Sequence, residues 1–195
     1  MDDRTREQDA DHRFAPRAIA AFIADALGAV GLPTGDAGKV AELMTEADLT
    51  GADAHGIFRL PQYVRRIRAG GFNTTPNIAV TKTAVATALV DGDNGMGHLV
   101  VNRAADTAIA LAREAGVGWV GVRRSNHAGT AGLYAAMPVE HGMIGLYSAV
   151  ANGTTWPCGA ARSCCSAPIR SESRCRPATG RWCSIWRRPS SPTAR

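Results

Sequence analysis

Two histidines stand in settings where an imidazole can do chemistry. His127 lies in RRSNHAGTAGLY, residues 123–134, after an apolar run (Val117–Val122) spaced like a buried strand and before a small-residue segment spaced like a helix. Ser125 and Asn126 precede it; Gly129 and Gly132 follow, and glycines there let another backbone or a flat ligand come close. His55 lies in DLTGADAHGIFRLPQY, residues 48–63, four residues before Arg59 and eight before Tyr63. An imidazole that exchanges a proton near neutral pH, beside a guanidinium that grips a carboxylate with two donors, suits acid–base work on a small acid. Taken alone, the His127 stretch equally fits a surface loop with no task, while the His55 segment lacks the long apolar run that a purely core role would need. Two such boxes in one chain favour a site.

The elements that position them follow from periodicity. From Arg17 to Gly31, Ile19, Phe22, Ile23, Ala26, Leu27 and Val30 share one helical face. Thr34 is placed to cap a second helix carrying Val40, Leu43, Met44 and Ala47. Leu60, Tyr63, Val64 and Ile67 make a third, short helix, opened near Pro61 and ended by Gly70–Gly71. Residues 78–82 and 86–91 are expected strands, followed by the turn DGDNGMG. Its Asp91, Asp93 and Asn94 lack the closing acid of a calcium loop, so no metal is expected. A helix from Leu99 to Ala115 should stop at Gly116. After the His127 turn come a helix to about His141, with Pro138 kinking or shortening it, and a strand over Met143–Val150. Strands alternating with helices give an α/β class, and no GxGxxG follows any strand, so a Rossmann fold is not supported.

Composition divides the chain. Residues 1–157 carry 14 Lys plus Arg against 16 Asp plus Glu, a net of −2; residues 158–195 carry eight Arg and one Glu, a net of +7. All five cysteines (Cys158, Cys164, Cys165, Cys175 and Cys183) lie in that tail. The expected organisation is a flexible start over 1–13, a helical subdomain over 14–74, a partial α/β domain over 75–157 and an irregular, disordered basic tail over 158–195. No run of 18 apolar residues exists, and the charged N-terminus lacks a signal-peptide core, so a cytoplasmic chain is expected.

Four stretches together, DAHGIFRLPQY, LVDGDNGMGH, AREAGVGWVGVRRSNHAGTAGLY and HGMIGL, resemble the malate/L-lactate dehydrogenase family. That family also includes ureidoglycolate and sulfolactate dehydrogenases and a cyclic-imine reductase. The resemblance runs from about Phe14 to Pro157 and implies a non-Rossmann mixed-sheet fold of the sulfolactate dehydrogenase type. It implies hydride transfer between a 2-hydroxy acid and NAD or NADP, with His127 as the acid/base. His55, Arg59, Ser125 and Asn126 would bind or orient the substrate, Arg59 being the carboxylate clamp. Ala151 and Asn152 match where the family begins to touch the cofactor. A homodimer is implied, with the site completed across subunits. His98 matches no catalytic position, and His12 and His141 are expected in solvent.

The tail departs from the family, which continues past this point with a box LGTNPI and then D-L/M-A-T-S. Joining the third base of each codon to the first two of the next restores both. Cys165 to Ser171 permits LGTNPI, Trp182–Cys183 forces valine, and Trp182 to Arg195 permits VLDLATSVVADGK. Each overlap leaves few amino acids open. A frame change between about Asn152 and Ser163 is therefore expected, accounting for the charge, the cysteines and the early end. On this reading the polypeptide is truncated and weakly active or inactive. Two other readings are a non-enzymatic fragment that binds an intact homologue, and a nucleic-acid binder using Trp182 and Trp186 between arginines. The second is disfavoured, because a basic tail is only an electrostatic footprint. The tail's cysteines lack the paired spacing of a zinc site.

Overall fold

The computed structural model describes residues 13–149 in full and the backbone of Val150, Ile169–Cys175 and Cys183–Ser184. Three helices come first: α1 (Pro16–Gly28), α2 (Thr34–Leu49) and α3 (Leu60–Arg68). Their apolar faces meet in one core, where Ile23, Leu27, Val40, Met44 and Tyr63 are sealed from solvent and Leu60, Ile67 and Phe72 are nearly so. Burying each such aliphatic side chain is worth about 1.5–3 kcal/mol. Phe22, expected on the inner face of α1, is instead 60% exposed. It falls at the edge of the stripe, outside the core that Ile23 and Leu27 enter. Thr34 opens α2 as its first helical residue; Pro33 occupies the cap position, and no side chain caps the helix.

Between α2 and α3 the chain makes two 3-10 turns, Asp53–His55 and Ile57–Arg59. Asp48 fastens this stretch, its carboxylate accepting from the Ile57 N–H at 2.9 Å. Gly56 is what allows that contact, because a Cβ there would fall onto the Asp48 carboxylate.

Strands β1 (Ala79–Ala84), β2 (Thr87–Gly95) and β3 (Trp119–Ser125) form a sheet in that order. β1 runs antiparallel to β2, and β2 runs parallel to β3 through the crossover helix α4 (Gly97–Ala115). Val100 and Ala104 of α4 pack on Val90 of β2. The expected turn at DGDNGMG is the end of β2, deformed: Asp93 and Asn94 carry φ of 46° and 58°, and the register shifts between Asp91 and Gly95. α4 ends on Gly116 in the left-handed region, the stop that its glycine predicts.

The strand expected to be buried is largely exposed. Trp119 is 64% and Val122 38% accessible, because β3 is the outer strand of its sheet. Helix α5 (Ala131–Ala136) stops before Pro138, and Met137–His141 continues as a 3-10 turn, the shortening that Pro138 predicts. β4 (Gly145–Val150) begins a second antiparallel sheet with β5 (Ile169–Cys175) and β6 (Cys183–Ser184). The sequence assigns no strand after Val150; the backbone of Ile169–Cys175 pairs along its length with β4. Between β3 and β4 lies a groove of about 640 Å³, lined by Trp119, Val122, Ser125, Asn126, Tyr147 and Ser148 among others.

The α4 N-terminus abuts the His127 turn so closely that a Cβ on Gly97 would collide with the Asn126 carbonyl and the His127 backbone. Gly97→Ala should therefore cost about 1–3 kcal/mol in urea unfolding. Gly28→Ala, with nothing within 4 Å of the place its methyl group would take, should be neutral or slightly stabilising. Equal unfolding midpoints for the two variants would contradict this packing.

Candidate active site

Tyr63 and His127 bring the two boxes together. The Tyr63 hydroxyl, on α3, lies 2.7 Å from Nδ1 of His127, on the turn between β3 and α5. His55 stacks on the His127 ring, with centroids 5.6 Å apart and planes 15° from parallel. A third histidine, His98 near the start of α4, sets its ring edgewise to Tyr63 at 5.5 Å. Tyr63 is thus wedged between two imidazoles.

Burial governs the protons here. The Tyr63 phenol is held well above its ordinary range by desolvation, opposed in part by Arg59 and Arg66. It stays neutral, and a neutral hydroxyl can donate to a bare Nδ1 or accept from a protonated one. The Gly129 N–H approaches the same Nδ1 at 3.4 Å, a long contact. With Nδ1 engaged, Nε2 is the nitrogen left to exchange a proton. Desolvation lowers His127 to about 4, and His55, Arg59 and Arg66 push in the same direction. Its side chain still reaches solvent, so water screens part of that effect.

The guanidinium of Arg59 is oriented by its own neighbourhood: Nε donates to the Ala54 carbonyl at 2.8 Å and Nη1 to Gln62 Oε1 at 2.8 Å. Asn126 is used as a clasp. Its amide nitrogen donates to Asn94 O, Asn94 Oδ1 and Gly95 O at 2.9–3.0 Å, and its Oδ1 accepts from Arg66 Nη2 at 3.2 Å. Ser125 Oγ donates to the Asn126 carbonyl at 3.4 Å. So His55 meets the His127 ring and Arg59 lies near enough to act on its charge, while Ser125 and Asn126 both line the β3–β4 groove. Ala151 and Asn152 fall outside the described residues.

Sequence reasoning passes over two participants. Tyr63 stands in the first box but reads there only as core. His98, expected to be idle, is 1% exposed with neither ring nitrogen hydrogen-bonded, and Gly129 leaves it room, since a Cβ there would sit 2.8 Å from His98 Nε2. The available signal for His98 is its place at the start of a helix, between Gly97 and the apolar run Leu99–Val101. His12 lies outside the described residues. His141 is exposed, with Nδ1 2.9 Å from Arg113 Nη2.

Residues 14–168 match the family described as malate/L-lactate dehydrogenase. The chain belongs to that family. A malate dehydrogenase of Pyrococcus abyssi is 45% identical over 125 residues, 64% of this chain and 34% of the relative. An L-sulfolactate dehydrogenase of Methanocaldococcus jannaschii is 41% identical over 125 residues, 64% and 36%. An NAD(+) ureidoglycolate dehydrogenase of Escherichia coli is 30% identical over 140 residues, 72% and 40%. Among solved structures, Pyrococcus horikoshii malate dehydrogenase superposes with a TM-score of 0.76 at 36% identity, covering 84% of this chain and 47% of that one. M. jannaschii sulfolactate dehydrogenase gives 0.78 at 32%, covering 87% and 49%. The mixed α/β architecture is therefore the family's, and this chain spans about a third to a half of the length of the relatives it matches.

His98 makes a stability prediction for this family member. Desolvation lowers it to about 3, below an unfolded value near 6.5, so the unfolded chain binds one more proton than the folded one between those pH values. Its contribution is intact above about pH 6.5 and is lost as pH falls toward 3, at about 1.4 kcal/mol per pH unit. Urea titrations at pH 7 and pH 5 should show His98→Leu with a flatter dependence by about one proton. An unchanged slope would contradict a buried neutral imidazole.

Proposed function

We propose that the two boxes form the acid–base and acid-binding part of an NAD(P)-dependent 2-hydroxy-acid dehydrogenase, with His127 as the acid/base. What carries this reading is the 2.7 Å contact between Tyr63 and His127 Nδ1, which leaves Nε2 as the exchanging atom. At neutral pH the depressed His127 starts as a free base, the form that takes a proton from a substrate hydroxyl as the 2-oxo product forms. The positive groups that depress it are offset once a carboxylate sits among them, so binding the acid itself raises the basicity of His127. Arg59 is assigned to the substrate carboxylate and His55 to a stacking wall against His127. Ser125 and Asn126, expected to orient substrate or histidine, divide: Asn126 holds the turn, and Ser125 is the less supported of the two.

The nicotinamide is the hydride partner by kinship with an NAD(+)-dependent relative. The described residues do not by themselves build a dinucleotide cradle. The glycine-rich entry to α4 is closed by the Asn126 and His127 backbone. Arg123 and Arg124, on the groove, are engaged by Asp91 and Asp93. Cofactor contacts are accordingly assigned to Ala151, Asn152 and the region encoded by the alternative frame. NAD and NADP are both compatible with this assignment, as are malate, lactate, ureidoglycolate and sulfolactate as substrates. The reading further includes a homodimer in the cytoplasm, no nucleic-acid partner and, among the described residues, no helix long and apolar enough to cross a membrane.

We attribute the low activity expected of the 195-residue polypeptide to the frame change between about Asn152 and Ser163. Resequencing the gene and restoring the frame tests both parts. The restored protein should reduce NAD(P) with a 2-hydroxy acid, and His127→Asn should lower kcat by about 10²–10⁴. The 195-residue chain should turn over little or not at all. DNA that does not encode LGTNPI across codons 165–171 in the alternative frame would refute the frame reading; robust turnover by the 195-residue chain would refute its inactivity, and a restored protein unaffected by His127→Asn the role of His127.

A further inference from the structure

His98 has no task in the acid–base reading. It is 1% exposed, and among the described residues neither of its ring nitrogens has a hydrogen-bond partner. Buried polar atoms are ordinarily paired, and leaving them unpaired weakens a fold. A hydrocarbon of similar volume would carry no such atoms, so the imidazole does not serve stability. Sealed from solvent, it cannot itself exchange a proton with a substrate. Its place between other groups is what remains to explain it.

Gly97 lets the start of α4 come against the Asn126 carbonyl and the His127 backbone, and the next side chain along the helix is His98. Its ring meets Tyr63 edgewise, with centroids 5.5 Å apart and planes 85° from parallel. Its Nε2 faces Gly129, where a Cβ would lie only 2.8 Å away. Gly129 also has a φ of 77°, so both the backbone and the neighbouring ring call for glycine there. Tyr63 and Gly129 are the two groups that approach His127 Nδ1, the hydroxyl at 2.7 Å and the N–H at 3.4 Å. His98 therefore lies against both. A gap between a tyrosine and a bare glycine suits a flat ring, and imidazole is the one aromatic side chain smaller than phenyl.

We propose that His98 is a positioning residue for His127, its ring the wedge that sets the Tyr63 hydroxyl and the Gly129 N–H against Nδ1. The two unpaired nitrogens then follow from the need for a flat ring of that size. The inference rests on the reading of His127 as the acid/base, which the kinetics of His127→Asn test on their own.

Ring-nitrogen NMR of His127 in the full 195-residue chain at neutral pH tests it, because the nitrogen shifts report which of Nδ1 and Nε2 carries the proton. His98→Leu fills the space without unpaired nitrogens, so its unfolding midpoint should hold or rise. The ratio of the two His127 tautomers should nonetheless move about threefold or more toward that of a solvent-exposed histidine, the bias of one held hydrogen bond being lost. His98→Gln, whose flat amide reaches about as far as Nε2, should keep the parent's ratio. Ile109→Ala, a buried position about three turns along α4, should lower the midpoint and leave the ratio alone. An unchanged ratio in His98→Leu, or the same change in Ile109→Ala, would overturn the positioning role while leaving His127 free to be the acid/base. A His98→Leu chain that no longer folds would overturn it too, since an imidazole kept only for its shape can be replaced in the core by a hydrocarbon.

Discussion

The hydrogen bond between the Tyr63 hydroxyl and His127 Nδ1 is the constraint on which the rest of the site depends. It spans 64 residues of sequence and ties the helical core to the turn between β3 and α5. Tyr63 is 1% exposed and sits in the same core as Leu27, Met44 and Ile67, so the packing that buries these residues also fixes where the hydroxyl points. Histidine orientation is thereby set by hydrophobic burial, with a phenol as the intermediary. The phenol suits this task because burial keeps it neutral across the range in which the imidazole titrates.

The other side of the turn is held by backbone. Asp93 and Asn94 adopt positive φ, and Arg124 opposite them does the same at 50°. Residues other than glycine visit that region at a cost, so their presence needs compensation. It comes from Asp93, which accepts from Asn73, the Asn77 N–H and Arg124, and from Asn126, which bonds Asn94 and Gly95. Gly97 then lets α4 approach the turn without a side chain between them. Hydrophobic packing from α3 and a polar knot from β2 thus close on His127 from two directions.

Much of this is legible in the sequence because it rests on residue type and local spacing. His55, Arg59 and His127 stand out as groups able to move protons and hold an acid. The three helices, the crossover α4, its Gly116 stop and the effect of Pro138 follow from periodicity and backbone chemistry. The misses share a cause: they depend on what lies across from a residue in space. Tyr63 fits a core stripe and a hydrogen bond to His127 equally well, and only the fold decides. His98 looks idle because nothing in its neighbourhood along the chain marks it, yet it is buried against Tyr63. Apolarity suggests that Val117–Val122 is covered, but an outer strand exposes such residues whatever their type. The pairing of β5 with β4 has no periodic signature, since residues 169–175 alternate in neither a helical nor a strand pattern.

The most direct test is a pH titration of the His127 ring by NMR in the intact chain, compared with Tyr63→Phe. A partly desolvated ring held by the phenol should remain neutral below pH 6.5, titrating lower than an ordinary imidazole, and loss of the hydroxyl should change the Nδ1 resonance while the fold persists. An ordinary titration near 6.5, insensitive to Tyr63, would mean that the ring is neither desolvated nor held, and the dependence of the site on that hydrogen bond would fall.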